Sequence, residues 1–203
     1  MRGQTWKTKA KFLFVLAIGL GVAACANNLP VDSKFPPVSF ADHKPYVFNV
    51  ARVEIVPKFT SSSTSPHIEY SMPVSPENAF KRWVEDRIKP VGTTGVLRVV
   101  INDASATDTP IQRDPDASQL FNTEQTSRID MALNVSLQVL DERQFVKAEV
   151  TGQATRNRTL PEGIKLNERD KILYEMTVDL VKSLSDQLDP QISSTLMPYM
   201  TVQ

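Results

Sequence analysis

The stretch "RIDMALNVSLQVL" at residues 128–140 decides the fold, because apolar and polar residues alternate along most of its length. A period of two places successive side chains on opposite faces of a β-strand, so one face here is apolar and the other is polar. The apolar residues are Ile129, Met131, Leu133, Val135, Leu137 and Val139. The stretch therefore predicts a long strand with one face in the core.

A second alternating stretch, "QFVKAEVTGQAT" at residues 144–155, follows directly and predicts the partner strand of a hairpin. Both apolar sets must lie on one side of the sheet, which favours an even loop of two or four residues around Glu142 and Arg143. The small inward residues of the second strand leave room for a helix to approach the sheet closely. The register that we expect pairs Val139 with Val146, Leu137 with Ala148 and Leu133 with Gly152.

Two helices are available to cover this sheet. Ser75 is the expected N-cap of the first helix and Pro76 its first residue, while Pro90 and Gly92 end it. The second helix begins near Asn167, and Asp189-Pro190 is expected to break it before a short final helix. The apolar stripes are Phe80, Trp83, Val84 and Ile88 in the first helix, Ile172, Leu173, Met176, Leu180, Leu184 and Leu188 in the second, and Ile192, Leu196 and Tyr199 in the last.

Further strands at residues 46–57 and 95–104 complete the order strand, helix, strand, strand, strand, helix. The sequence therefore predicts an α+β fold, with a single sheet of about four strands and two helices packed on one face. This domain covers residues 46–203.

The amino-terminal stretch "LAIGLGVAACANN" at residues 16–28 holds the only cysteine, Cys25. It follows a basic start and an apolar run at 12–20 that is too short to span a bilayer comfortably. The tetrad Val22-Ala23-Ala24-Cys25 resembles the bacterial lipobox. This resemblance implies recognition of Val22, Ala23 and Ala24 by the lipoprotein signal peptidase, and a diacylglyceryl group and an acylated amine on Cys25. An ordinary secretory signal cut near a cysteine is the alternative.

The lipobox resemblance also divides the chain and suggests its location. Residues 1–24 are then a signal peptide, and 25–45 are a lipid-anchored, proline-rich tether that holds the domain off the membrane. In enteric bacteria an Asp after the cysteine retains a lipoprotein in the inner membrane. Ala26 stands at that position, which implies a periplasm-facing anchor in the outer membrane, with a covalent lipid as the only attached group.

Composition excludes several classes of function. Cleavage before Cys25 leaves 19 basic and 23 acidic residues, a net charge of −4 without the clustered basic face that nucleic acid needs. His43 and His67 lie in the tether and beside a Ser/Thr-rich loop, with no second metal ligand at zinc spacing. No nucleophile elbow, phosphate-binding glycine loop or CxxC motif is present. We therefore expect no enzyme activity, no metal and no cofactor.

A binding role then remains, and the second face of the sheet is the candidate site. Five apolar residues are expected to point away from the helices as a partner-binding face: Phe48, Val50, Val56, Val96 and Val100. The alternative is that they are covered by the long segment 103–125, which is itself either a functional or a disordered loop.

The order of elements over residues 46–188, behind an anchor and a tether, resembles periplasmic accessory lipoproteins, including the auxiliary lipoproteins of lipid-transport ABC systems. It is also similar to the TolB amino-terminal domain. The resemblance implies a non-catalytic accessory or docking component of an envelope transport or assembly machine, with an envelope protein as partner. The alternatives are a periplasmic carrier that binds lipid or glycan, and an uncharacterised hydrolase.

Overall fold

A computed structural model describes residues 35–111 and 125–201. The lipobox tetrad Val22 to Cys25, the first part of the predicted tether and most of the segment 103–125 lie outside these ranges. The folded unit begins at Phe35. Its strands are β1 (Tyr46–Phe48), β2 (Arg52–Pro57), β3 (Ile88–Pro90), β4 (Val96–Asp103), β5 (Ala106–Pro110), β6 (Gln125–Leu140) and β7 (Val146–Pro161), and its long helices are α1 (Pro76–Arg87) and α2 (Leu166–Gln191).

Five of these strands form one mixed sheet around β6. The whole length of one β6 edge pairs antiparallel with β7, and the other edge pairs first with β5 and then with β4. β2 extends the sheet by pairing parallel to β4. The predicted α+β class with two long helices is confirmed, but the main sheet has five strands among the described residues rather than about four.

The segment at 46–57 is two strands in two sheets, and the prediction of one strand there is wrong. β1 pairs parallel with β3, the three residues that follow α1, and β2 joins the main sheet. Between them Asn49 N donates to Tyr199 O at 2.8 Å and Ala51 N donates to Thr94 O at 3.0 Å. These hydrogen bonds fix the loop in which the backbone passes from the β1–β3 ladder to the β2–β4 ladder.

The helices begin near the predicted residues, but the prediction that the first one ends at Pro90 and Gly92 is wrong: α1 ends at Arg87, and Ile88, expected in its stripe, is the first residue of β3. The Ser75 hydroxyl accepts a hydrogen bond from Asn78 N at 3.3 Å, and Pro76 occupies the first helical position, where its missing N–H costs nothing. The predicted break at Asp189-Pro190 is wrong. α2 includes Pro190 and runs directly into further turns at Ile192–Leu196 and Met197–Tyr199, because proline in the last turn removes only one helical hydrogen bond.

The β6–β7 hairpin keeps both apolar sets on one face, as predicted, by a different route. Its loop has five residues between the paired Leu140 and Val146, and the register shifts between Val139 and Leu140. The bulge offsets the odd loop, so the even-loop prediction is wrong while the shared face is confirmed. The observed pairs are Val139 with Ala148, Leu137 with Val150, Val135 with Gly152 and Leu133 with Ala154, two residues away from the predicted register.

Gly152 marks the place where α2 meets the sheet. A Cβ at this position would come within 2.8 Å of Leu184 Cδ1 and 3.0 Å of Leu188 Cδ2. The predicted close approach of a helix over the small residues of β7 is therefore confirmed. The face of the sheet that α1 and α2 cover is called the inner face below, and its core residues include Leu97, Val99, Ile101 and Leu133. Leu180 of α2 belongs to the same core.

Residues 35–45, which the sequence assigned to the tether, belong to the folded unit. Val38 and Phe40 are buried in the core. The buried Arg87 donates to Lys44 O at 3.2 Å and forms an ion pair with Asp189 at 3.4 Å. The Arg87 guanidinium also lies over the Tyr46 ring, and burial, with a hydrogen bond to Asp189, raises the pKa of the Tyr46 phenol to about 12. This cluster fixes the chain just before β1.

Candidate functional site: the outer face and the edge of β7

The sheet has a second face, on which side chains point away from α1 and α2, and this is called the outer face. Successive side chains of a strand point to opposite faces, and every other residue of β2, β4, β6 and β7 packs into the core on the inner face. The residues between them therefore form the outer face. The residues of the outer face are Arg52, Glu54, Val56, Val96, Arg98, Val100, Asn102, Asn134, Ser136, Gln138, Leu140, Glu149, Thr151 and Gln153.

The five residues predicted to form an apolar binding face do not form one. Phe48 and Val50 are buried in the core, because Phe48 belongs to the separate β1–β3 sheet and Val50 to the loop that follows it. Placing these two residues on the outer face was wrong. Val56, Val96 and Val100 do lie on the outer face, but Val96 is only 2% exposed and Val100 only 3%. Val56 is half-buried, and with the other four residues buried no continuous apolar surface is exposed here.

Cross-strand hydrogen bonds between polar side chains are the main feature of the outer face. The Asn102 amide donates to Asn134 Oδ1 at 3.0 Å and to Ser136 Oγ at 3.2 Å. The Gln138 amide donates to Glu149 Oε1 at 3.0 Å. These bonds join β4 to β6 and β6 to β7, so they hold the amide groups in fixed orientations.

The charged residues of the outer face balance one another. Arg98 forms an ion pair with Glu54 at 3.5 Å and donates to Gln144 Oε1, in the hairpin loop, at 2.9 Å. Farther along β6, the Arg128 guanidinium forms an ion pair with the Asp130 carboxylate at 2.8 Å. The face is thus polar with little net charge, which suits a partner that forms hydrogen bonds.

Exposed side chains continue along β7 beyond the part of β6 that pairs with β4. Every second residue from Glu149 onwards is exposed and polar: Glu149, Thr151, Gln153, Thr155, Asn157 and Thr159. The alternation in the sequence indicated this row only as far as Gln153, because the stretch "RNRT" that follows contains no apolar residue. A hydroxyl and amide row of this length can donate and accept hydrogen bonds along an extended partner.

β7 is also an edge strand, since among the described residues its only strand partner is β6. Odd-numbered residues direct their backbone groups outwards: Thr151 O accepts from the Gln191 amide at 2.9 Å and Lys147 O accepts from the Tyr199 hydroxyl at 3.4 Å. Side chains from the carboxyl-terminal helical region therefore protect the beginning of this edge. In the part from Gln153 to Thr159, Thr155 O accepts from the Arg156 guanidinium at 2.9 Å, so this side chain must move aside before a strand can pair there. Edge strands of this kind are templates for an added strand.

The segment 103–125, expected as a loop, contains β5. Ala106–Pro110 pairs with residues 127–131 of β6. Its sequence, "ATDTP", has no apolar alternation and ends in proline, so no pattern indicated a strand. Residues 112–124 lie outside the described ranges, and the prediction that this segment covers the second face stays a prediction.

The two histidines each contact a carboxylate. His43 Nδ1 lies 2.8 Å from Asp42 Oδ1 at an exposed position, and the hydrogen bond lowers the pKa of the Asp42 carboxyl. His67 Nδ1 lies 3.0 Å from Glu69 Oε1. Within the described ranges no group of three or more metal-ligating side chains occurs. Over the same residues, none of the helices combines the length and apolar character needed to cross a membrane.

Comparison with known proteins returns structural neighbours only. No protein-family model matches the chain, and no curated protein matches it. The crystal structure of rare lipoprotein B from Shewanella oneidensis aligns at 10% identity and a TM-score of 0.38, over 70% of this chain and 95% of that one. A minor lipoprotein from Acinetobacter baumannii aligns at 10% identity and a TM-score of 0.36, over 78% of this chain and all of the other. Both neighbours are named as lipoproteins.

Proposed function

We propose that this chain is a non-catalytic lipoprotein, anchored through Cys25 in the outer membrane and facing the periplasm, that docks onto a protein of an envelope transport or assembly machine. The anchor is supported by the tetrad Val22-Ala23-Ala24-Cys25. Docking is supported by one structural observation: the 16-residue strand β7 pairs on one side only among the described residues and carries an exposed polar row.

Strand addition would use both features of β7. Backbone hydrogen bonds at an open edge supply affinity, and the alternate side chains beside that edge supply specificity. The stretch from Gln153 to Thr159 measures roughly 20 Å, which matches an ordinary β-strand. The exposed side chains of β7 itself, Gln153, Thr155, Asn157 and Thr159, stand beside this edge and would contact the side chains of the added strand.

The carrier alternative divides into a lipid and a glycan version. Space for an acyl chain between the sheet and α2 is absent at Gly152, where Leu184 and Leu188 already approach within contact distance. The glycan version is favoured by the amides and hydroxyls of the outer face, which are the groups that bind sugar hydroxyls. A glycan bound on the outer face is therefore the second candidate function.

The anchor is tested by changing Cys25 to Ser in the full chain. Lipid attachment needs the cysteine thiol, so the variant should take up no radiolabelled palmitate, and its signal should stay uncleaved by the lipoprotein signal peptidase. The unchanged chain, expressed at the same level, is the control. Continued palmitate labelling of Cys25→Ser would contradict the lipobox interpretation.

Docking is tested by placing a photo-reactive amino acid at Asn157, in the exposed row of β7, in the full chain in intact cells. Irradiation should give one discrete protein adduct, and the same group at the exposed Lys182 of α2 should give none. A further Gln153→Pro change should remove the adduct, since proline lacks the outward N–H that an added strand needs. Gln153→Ala is the matched control.

The melting temperature of each variant shows whether a lost adduct reflects unfolding. Equal protein adducts at Asn157 and Lys182 would contradict docking at β7. An adduct at Asn157 that contains polysaccharide and no protein would replace the docking proposal with the glycan alternative.

A further inference from the structure

A second candidate site lies where the chain passes from the end of β2 to the start of α1. A cavity of about 440 Å³ opens there, and its walls include Phe59, Glu69, Tyr70, Met72 and Glu77. None of its lining residues belongs to the outer face, so the cavity is independent of the docking proposal. Nothing in the sequence pattern indicated it, because its residues come from irregular segments and two helix starts.

Glu69 is the unusual residue of this wall, because its carboxylate is buried and only one of its two oxygens accepts hydrogen bonds. Its side chain is 1% exposed. Oε1 accepts hydrogen bonds from Ala106 N at 2.9 Å and from His67 Nδ1 at 3.0 Å. Oε2 is buried and has no hydrogen-bond partner among the described residues. A buried acceptor without a donor is costly, and a carboxylate oxygen is the most costly kind.

The charges around the cavity indicate whether the hydrogen-bond donor to Glu69 Oε2 is neutral or positively charged. Its charged lining residues are Glu69 and Glu77, both acidic, and Glu77 is already paired with Lys81 at 2.6 Å. The lining contains no Lys or Arg, and His67 Nδ1, 3.0 Å from Oε1, balances the charge of Glu69 only when the imidazole is protonated. A neutral donor would satisfy the hydrogen bond alone, whereas a cation would also balance the buried charge.

The apolar walls of the cavity favour a ligand whose remaining part is apolar. Phe59 and Tyr70 supply aromatic rings, which attract cations over their faces, and Met72 adds an adaptable apolar surface. Tyr70 is 72% exposed, so its ring is free to close over a bound molecule. Thr60, also exposed, lies at the same cavity, and because Glu69 Oε2 is buried, a ligand reaches that atom only if the cavity wall rearranges.

We propose that this cavity binds a small organic cation, in which an ammonium or guanidinium nitrogen donates to Glu69 Oε2 and an apolar body packs against Phe59, Tyr70 and Met72. The Oε1 bonds to His67 and Ala106 hold the carboxylate in place during binding. Glu69 thereby links the ligand to β5, since Ala106 is the first residue of that strand.

Benzylammonium chloride and benzyl alcohol are matched probes, since they have the same shape and differ in charge. The detergent-solubilised full chain is titrated with each while the Met72 methyl resonance, assigned with Met72→Leu, is followed by NMR. Benzylammonium should shift it saturably, at least about tenfold more tightly than the alcohol, as expected when a desolvated ion pair is added. Glu69→Gln should reduce benzylammonium affinity to that of the alcohol.

Two further variants separate binding from folding. Tyr70→Ala changes an exposed side chain, so it should keep the melting temperature and weaken benzylammonium binding several-fold. Glu85→Gln, on the exposed side of α1, should change neither. The absence of a saturable shift, equal affinity for the two probes, or unchanged binding in both Glu69→Gln and Tyr70→Ala would overturn the proposal and leave Glu69 as a structural link to β5.

Discussion

The inner and outer faces of the main sheet are made by alternate residues of the same strands, yet they differ in chemistry. Leu133 and Asn134 are neighbours in β6. Leu133 is fully buried against the helical layer, whereas the Asn134 amide accepts a hydrogen bond from Asn102 across the strands. Within single strands, a period of two therefore separates the residues packed against the helices from the outer-face residues, of which the exposed polar ones are available for recognition.

Side chains on the two faces therefore contribute differently to the free energy of unfolding. Burying an aliphatic side chain contributes roughly 1.5–3 kcal/mol, and removing one also leaves a cavity. A hydrogen bond between partly exposed side chains contributes roughly 0.5–1.5 kcal/mol, since water replaces the lost partner. Stability should thus depend mainly on the inner face, and changes on the outer face should be tolerated by the fold.

The largest expected difference between the faces is at Leu133 and Asn134. Leu133→Ala should lower the free energy of unfolding by about 2–5 kcal/mol, because it removes a fully buried side chain and leaves a cavity. Asn134→Ala, one residue away, should lower it by less than about 1.5 kcal/mol. Urea unfolding of both variants, followed by circular dichroism, measures the two values. Equal losses would show that the outer face carries as much stability as the inner one.

The sequence indicated the long elements well, because they contain several periods of their pattern. The 16-residue strands β6 and β7 and the stripes of α1 and α2 lie where alternation and helical spacing put them, except for Ile88, which belongs to β3. β1 and β3 have three residues each, too few to show a period, and they meet only because α1 returns the chain beside β1. The hairpin register was also missed, since the bulge in which Lys147 is the extra residue of β7, opposite Val139 and Leu140, has no residue signature.

The candidate site was predicted only in part. The alternation correctly put Val56, Val96 and Val100 on the outer face, but it extended one face through Asn49, where the chain changes sheets. The prediction therefore put Phe48 and Val50 on the outer face, whereas both are buried in the core. The open edge of β7 depends on which strands pair, and the Glu69 cavity depends on contacts between segments distant in sequence. Neither property is contained in local patterning.

A smaller difference, at Gly152 and Gln153, tests how closely the helical layer contacts the sheet. Gly152→Leu should destabilise the fold by about 1–3 kcal/mol, because the new side chain must displace Leu184 and Leu188, which already stand at contact distance from a Cβ. Gln153→Leu puts the same side chain on the exposed outer face and should change stability by less than about 0.5 kcal/mol. Thermal melts of both variants provide the comparison.

Partner capture should show the opposite order for the same two variants. Gln153→Leu replaces an amide at the open edge and should weaken the adduct at Asn157, while Gly152→Leu, measured well below its melting temperature, should leave the adduct in place. An unchanged melting temperature for Gly152→Leu would mean that α2 can move away from β7 at little cost. The space between them would then be available to an acyl chain, and the lipid version of the carrier alternative would regain its structural basis.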